Sequence, residues 1–145
     1  MENHIVTAGM LKDVNELWTL ENAFLQEIGE QSMEEDAQLR LKEAVKEEKI
    51  FFFIAKKNGL PIGMCSVSPC FSTFACKLCG VFDDFYVLPA YRKHGVARLL
   101  VKTAQDWCKE HNYASLTVGC SRQDEAMYHS LGFDTELGVL LADNL

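Results

Sequence analysis

The chain has 145 residues, 48% of them hydrophobic and 24% charged. That is the size and balance of one globular domain over residues 1–145, able to bury about two-thirds of its unfolded surface. With 14 basic against 21 acidic residues the net charge is −7; this argues against nucleic acid, whose binders carry a basic footprint, and mildly favours a cationic partner.

The start, MENHIVTAGM, has no basic segment leading into a long apolar one, so no signal peptide is expected. The longest apolar run, Ile50 to Ala55, is too short to span a bilayer. The expectation is a cytoplasmic protein with no membrane partner. Ile5 to Ala8 reads as a short strand. Leu11, Val14, Leu17, Trp18, Leu25 and Ile28 recur at helical spacing and predict an amphipathic helix over 11–28, ended by Gly29. Ser32 stands three residues before Glu35, a capping-box spacing. Met33, Ala37, Leu41, Ala44 and Val45 then form the stripe of a second helix, running to about Glu48.

Ile50 to Lys56 and Pro61 to Val67 read as strands joined by a tight Asn58-Gly59 turn. Pro69 to Ala75 reads as a loop, and Lys77 to Val87 as a long strand broken by Pro89. Val96, Leu99, Leu100, Thr103, Ala104, Trp107 and Cys108 make a third helical stripe, ending near Asn112. Ser115 to Val118 is strand-like. Ser121, with Asp124 three residues on, caps a fourth helix that runs to Leu131 and stops at Gly132. Phe133 to Leu141 supplies one or two final strands. The order β-α-α-β-β-β-α-β-α-β predicts an α/β (α+β) fold, a mixed central sheet flanked by helices.

The stretch YRKHGVARLL, residues 91–100, lies where the long strand gives way to the third helix. Gly95 can take backbone angles that other residues resist, and Ala97 keeps the next position small. The first turn of a helix carries unpaired N–H groups and the positive end of the dipole. Together they suit a phosphate or pyrophosphate. Arg92, Lys93, His94 and Arg98 concentrate positive charge there, within a chain that is acidic overall. An ordinary strand-to-helix turn with exposed basic residues is the plainer alternative. Neither a P-loop nor a G-x-G-x-x-G fingerprint is present.

Arg92-Lys93-His94-Gly95-Val96-Ala97 resembles the [Q/R]-x-x-G-x-[G/A] motif of the GNAT acetyltransferase superfamily. Asp84-Phe85-Tyr86-Val87-Leu88-Pro89-Ala90-Tyr91 looks like the strand that leads into it. Met127-Tyr128-His129-Ser130-Leu131-Gly132-Phe133 is similar to the family's [F/L]-Y-x-x-x-G-F. The order of elements agrees over nearly the whole chain. The resemblance implies a GNAT-type fold and acetyl-CoA as cosubstrate. It implies that backbone amides from about Lys93 to Arg98, Val96 included, hold the pyrophosphate. It further implies that the pantetheine arm pairs along Phe85, Tyr86, Val87 and Leu88, and that the acetyl group lies where that strand splays from the next, near Val118. A homodimer is suggested by the resemblance alone. Three positions depart from common family usage: Lys93, Ser121 and Asp124.

Acetyl transfer to an amine needs a neutral amine, donors for the developing oxyanion and a proton for the departing thiolate. By the resemblance, Tyr128 lies beside the CoA sulfur and is the proton donor; its ordinary pKa near 10 keeps it protonated at neutral pH. The same resemblance makes the backbone N–H of Val87 or Leu88 the oxyanion donor. For the base, Asp83 takes the place where many relatives carry a glutamate, and Asp84 is the alternative. On a regular strand the two face opposite sides. His94 and His129 are further candidates by chemistry, expected nearer the cosubstrate or the surface.

Phe71-Ser72-Thr73-Phe74 and Asp83-Asp84-Phe85-Tyr86-Val87 look similar to the diamine and polyamine acetyltransferases. Glu27, Glu30, Glu34, Glu35 and Asp36 gather where the first two helices meet, a junction that borders the acceptor pocket in this superfamily. This acidic rim would attract a small cationic amine, or is simply a solvated helix start. Cys76-Lys77-Leu78-Cys79 is a C-x-x-C, but the spacing with Cys65 and Cys70 matches no zinc pattern and a strand, not a helix, follows. No metal site is predicted; the cysteines read as small buried residues. A non-catalytic acyl-CoA-binding regulator and a cysteine-based metal or redox protein are the rival readings.

Overall fold

Apolar residues alternate along the strands and recur at helical spacing in the segments between them, and the two patterns meet as a sheet covered on both faces. A computed structural model describes residues 6–145; Ile5, at the start of the first predicted strand, lies outside the described residues. The elements are β1 (Val6–Met10), α1 (Asn15–Glu27), α2 (Glu35–Lys46), β2 (Phe51–Lys57), β3 (Leu60–Ser72), β4 (Lys77–Val87), a short 3-10 turn (Pro89–Tyr91), α3 (Val96–Glu110), β5 (Leu116–Val118) and α4 (Glu125–Ser130).

The sheet has five strands in the order β1-β2-β3-β4-β5. The first four pair antiparallel, and β4 pairs parallel with β5 after the α3 crossover. Asn58 and Gly59 both adopt left-handed angles (φ 52° and 78°), the geometry of the tight hairpin turn expected there. Phe52, Ile54, Met64 and Tyr86 turn to one face and bury Leu17 and Leu20 of α1. Phe53, Cys65, Val67, Phe82 and Val87 turn to the other, against Val96, Leu100, Val101, Ala104 and Cys108 of α3. Among the described residues, no helix is long and apolar enough to cross a membrane.

Four expectations are corrected. Residues predicted as a loop from Pro69 belong largely to β3, which runs to Ser72. Past Val67, β3 no longer has β2 beside it, so a proline without an N–H stands on a free edge. Ser32 does not cap α2: Glu34 occupies the cap position with no side-chain bond. The Asn22 side chain holds the connection instead, accepting from the Met33 N–H at 3.2 Å. Likewise, Ser121 donates to Asp124 (3.2 Å) in a turn ahead of α4 but makes no cap bond to that helix. Finally, the segment expected to form strands from Phe133 to Leu141 has no regular structure. Gly138 at φ 128° interrupts any extended run, and Leu137, Val139, Leu140 and Leu141 stay exposed.

The short β4–β5 ladder is held in place by a glycine. A Cβ on Gly80 would stand 2.7 Å from Val67 Cγ1 and 2.9 Å from Leu116 Cδ1, and a valine is stiff at χ1. Gly80→Ala is therefore expected to lower stability by about 1–3 kcal/mol, read as a lower urea midpoint; an unchanged midpoint would contradict the close contact.

Candidate active site

β5 accompanies β4 only from Gly80 to Phe82, whereas β4 continues to Val87. Beyond Phe82 one edge of β4 is open. Leu88 donates its N–H to the Ile62 carbonyl at 2.9 Å. In an antiparallel ladder bonded and non-bonded pairs alternate, so the neighbouring Gly63–Val87 pair turns the Val87 N–H and carbonyl to the open side. Leu88 has thus spent its N–H on β3, while Val87 keeps its own on the open edge. Phe85 lies half-buried against Phe82 and Tyr128, with ring centroids 5.2 and 6.1 Å away.

After the 3-10 turn the chain bends sharply. Lys93 (φ 66°) and Gly95 (φ 84°) both take left-handed angles, and a Cβ added at Gly95 would meet nothing within 4 Å. The bend is open to whatever approaches it. The first helical bond runs from the Leu99 N–H to the Gly95 carbonyl (3.1 Å), so the N–H groups of Val96, Ala97 and Arg98 precede it and point out of the helix end. The Val96 side chain is buried in the α3 core, leaving its amide at the bend. These features fit a pyrophosphate-bearing cosubstrate.

Of the four basic residues expected there, Arg92 is engaged elsewhere. Its guanidinium makes two bonds to Glu27 (2.8 and 2.9 Å), donates from Nε to the Val87 carbonyl at 2.8 Å and lies 5.4 Å from the Tyr86 ring centre. Arg92 therefore ties the end of α1 to the end of β4. Lys93, His94 and Arg98 remain exposed around the bend, with Arg98 reaching the Ser130 carbonyl at 3.4 Å.

Asp84 has φ 52°, and the β3–β4 register shifts between Met64 and Ser66. This irregularity overturns the expectation of a regular strand at Asp83 and Asp84. Ser66 donates to Asp84 Oδ2 at 2.7 Å, and the Asp84 N–H donates to Asp83 Oδ1 at 2.8 Å. Burial raises the Asp84 carboxyl above its ordinary range, the Ser66 bond opposes this, and the Asp83 charge adds to it. Facing them from α1 is Glu21, only 5% exposed. Its carboxyl is pushed from 4.5 up to about 7, first by burial and then by the charges of Asp84 and Asp83.

Tyr128, on α4, is half-buried, with its ring edge-on to Phe133 at 5.8 Å. Its hydroxyl is raised to about 12, chiefly by burial and then by Asp124, Cys120 and Asp83. Asp83 thus acts electrically on both Glu21 and Tyr128. His129 lies 3.7 Å from Glu125, and His94 is exposed at the bend. The expectation of buried cysteines holds for Cys65 and Cys108 but not for Cys70, Cys76 and Cys120, which are exposed, or for Cys79, which is half-buried. No cluster of three metal-binding side chains occurs among the described residues.

The model of the acetyltransferase (GNAT) family matches residues 14–133. The chain belongs to the GNAT family. The uncharacterized N-acetyltransferase YhfO of Bacillus subtilis (strain 168) is 25% identical over 107 residues, 72% of each chain. The aminoglycoside N(6')-acetyltransferase type 1 of Acinetobacter haemolyticus is 33% identical over 70 residues, 46% of this chain and 48% of that protein. Among solved structures, the aminoglycoside acetyltransferase meta-AAC0020 in complex with sisomicin, from an uncultured soil metagenomic sample, superposes with a TM-score of 0.85. It is 13% identical and covers 97% of this chain and 95% of that one.

In this GNAT protein one buried carboxyl beside the candidate site, Glu21, is not foreseen from the sequence. Glu21 sits within the α1 stripe, one turn after Leu17 and one residue after Leu20. A carboxylate on the apolar face of a helix is the signal that could have found it.

Its raised carboxyl has a consequence for stability. The native chain binds the Glu21 proton more tightly than the unfolded chain, so the contribution of this group to stability is fullest below pH 4.5 and is lost as pH rises through about 7. Full burial would make this about 3 kcal/mol, and solvent screening leaves about 1–2. Glu21→Gln is expected to match the parent at pH 4 and to exceed it by that amount at pH 8 in urea unfolding. An equal difference at both pH values would mean that Glu21 does not titrate in this window.

Proposed function

We propose that this acetyltransferase moves the acetyl group of acetyl-CoA to a primary amine of a small cationic acceptor, by direct attack in a ternary complex. The observation that carries the reading is the open edge of β4. It ends at the Gly95 bend, and Tyr128 and the Asp83–Asp84 carboxylates stand beside it. In this reading the N–H groups of Val96, Ala97 and Arg98, with Lys93 and His94 beside them, hold the pyrophosphate. Phe85, Tyr86 and Val87 supply the strand that the pantetheine arm follows, and Leu88 closes that strand onto β3.

The Val87 N–H serves as oxyanion donor; a preorganised donor of this kind stabilises the charge that develops on the carbonyl oxygen. Leu88 is set aside for that role because its N–H is bonded to Ile62. Tyr128 supplies the proton to the thiolate: its buried hydroxyl is protonated at neutral pH and can donate a hydrogen bond to the sulfur as charge develops there, although the upward shift makes it a weaker acid than an ordinary tyrosine. The acidic residues close to the open edge and around the α1–α2 connection support a cationic acceptor. So do the aminoglycoside acetyltransferases among its relatives, which act on polycationic amines. Glu30, Glu34, Glu35 and Asp36 are exposed there, whereas Glu27 is paired with Arg92.

The test is CoA release, followed with a thiol reagent, from acetyl-CoA and a panel of diamines, polyamines, aminoglycosides and amino acids. Turnover is expected with polycationic amines. Tyr128→Phe is expected to lower kcat by about 10²-fold or more while CoA affinity by calorimetry stays within about twofold. A variant with full turnover would remove Tyr128 from the chemistry. Tight CoA binding without turnover on any amine would favour the acyl-CoA-binding regulator.

A further inference from the structure

α1 presses Leu17 and Leu20 against the sheet and packs Phe24 beside Tyr86. Glu21 interrupts that face. It is the charged residue that is buried among the described residues, at 5% exposure. No hydrogen bond or ion pair there satisfies it, and the charges that act on it, Asp84 and Asp83, have its own sign. Burying a carboxylate without a cation is costly, and aiming it at two more adds to the cost. A leucine in its place would simply extend the core.

The groups facing this position are known from each element packed there. β4 contributes Asp83, Asp84 and Tyr86, and β3 contributes Ser66, whose hydroxyl engages one oxygen of Asp84. The Cys65 thiol of β3 also feels the Asp84 charge. The nearby cation Arg92 is committed to Glu27 and the Val87 carbonyl. What the cluster lacks is a positive charge, and it lies beside the stretch of β4 that has no β5 neighbour.

We propose that Glu21 and Asp84 form a carboxyl pair that receives the ammonium group of the acceptor, and that Glu21 takes its proton. This rests on the amine-transfer reading above. The pair holds one proton less when the ammonium docks, so that a carboxylate faces the cation. One N–H bond of the ammonium breaks and its proton goes to the Glu21 carboxylate, leaving a neutral amine. The amine lone pair then forms the C–N bond to the thioester carbon, and the C–S bond breaks with its electrons on sulfur. The sulfur takes its proton from Tyr128. The second proton lost from nitrogen returns through solvent to the tyrosine, and Glu21 releases the first to solvent. In sum, an ammonium and acetyl-CoA give an amide, CoA and one proton. Asp83 is the positioning residue between the two proton-handling groups, since its charge reaches both.

Glu21→Gln keeps shape and removes the base. Wild-type kcat/KM is expected to fall on the acid side with an apparent pKa near 7. In the variant that limb should vanish and kcat/KM at pH 8 should drop about 10²-fold or more, with CoA affinity within about twofold. A variant with the wild-type profile and rate overturns the proposal. A second readout is independent of turnover: carboxyl carbon NMR of Glu21, with Glu21→Gln assigning the signal, titrated with 1,4-diaminobutane and sisomicin. Docking of either amine is expected to lower the Glu21 midpoint by about one pH unit or more. A midpoint that neither amine moves overturns the carboxyl pair as an ammonium site. A midpoint that moves in a protein without turnover upholds it and overturns acetyl transfer alone.

Discussion

Most of this molecule's chemistry follows from one shortfall in hydrogen bonding: β4 is longer than the partner on its outer edge. β5 is a strand of 3 residues, and it leaves β4 after Phe82. Strand edges with unpaired N–H and carbonyl groups are costly when buried and adhesive when exposed. Here the unpaired stretch ends in a helix start whose own amides are also unpaired. In the proposed reading, an extended ligand with an anionic end satisfies both at once.

The same stretch of β4 carries the irregularity at Asp84. A non-glycine residue at φ 52° is uncommon and costs backbone energy. The Asp84 carboxyl there accepts from Ser66, and its charge and that of Asp83 act on Glu21 of α1. Arg92 does the opposite work nearby. By engaging Glu27, the Val87 carbonyl and the Tyr86 ring, it neutralises one carboxylate and fixes the distance between α1 and the end of β4. One acid is thereby silenced, and Glu21 is left without a cation. The arrangement leaves the carboxyl groups of Glu21 and Asp84 without a cation, in a part of the molecule separate from the basic residues of the Gly95 bend.

Local patterns carried much of the fold. Asn58-Gly59 predicts its hairpin turn because both residues accept left-handed angles, and the α3 stripe predicts a buried helix because its spacing admits no other use. Patterns failed where a partner decides the outcome. Pro69 reads as a loop signal, yet it stands in β3 because no strand lies beside that edge. Ser32 has the spacing of a cap but α2 begins past it. Val139, Leu140 and Leu141 have strand chemistry, and Gly138 and the lack of a neighbouring strand leave them irregular.

The sequence by itself determined the family and the glycine bend, because a left-handed backbone position, a helix start and a short motif are all properties of contiguous residues. Only the tertiary structure decided which of the polar groups are free to act. Arg92 is withdrawn by Glu27, Leu88 N–H by Ile62, and Asp84 is turned by its bulge. Glu21 acquires its character from β4, far along the chain. Charge states and unspent hydrogen bonds depend on neighbours in space and on burial, and neither is written in the order of residues.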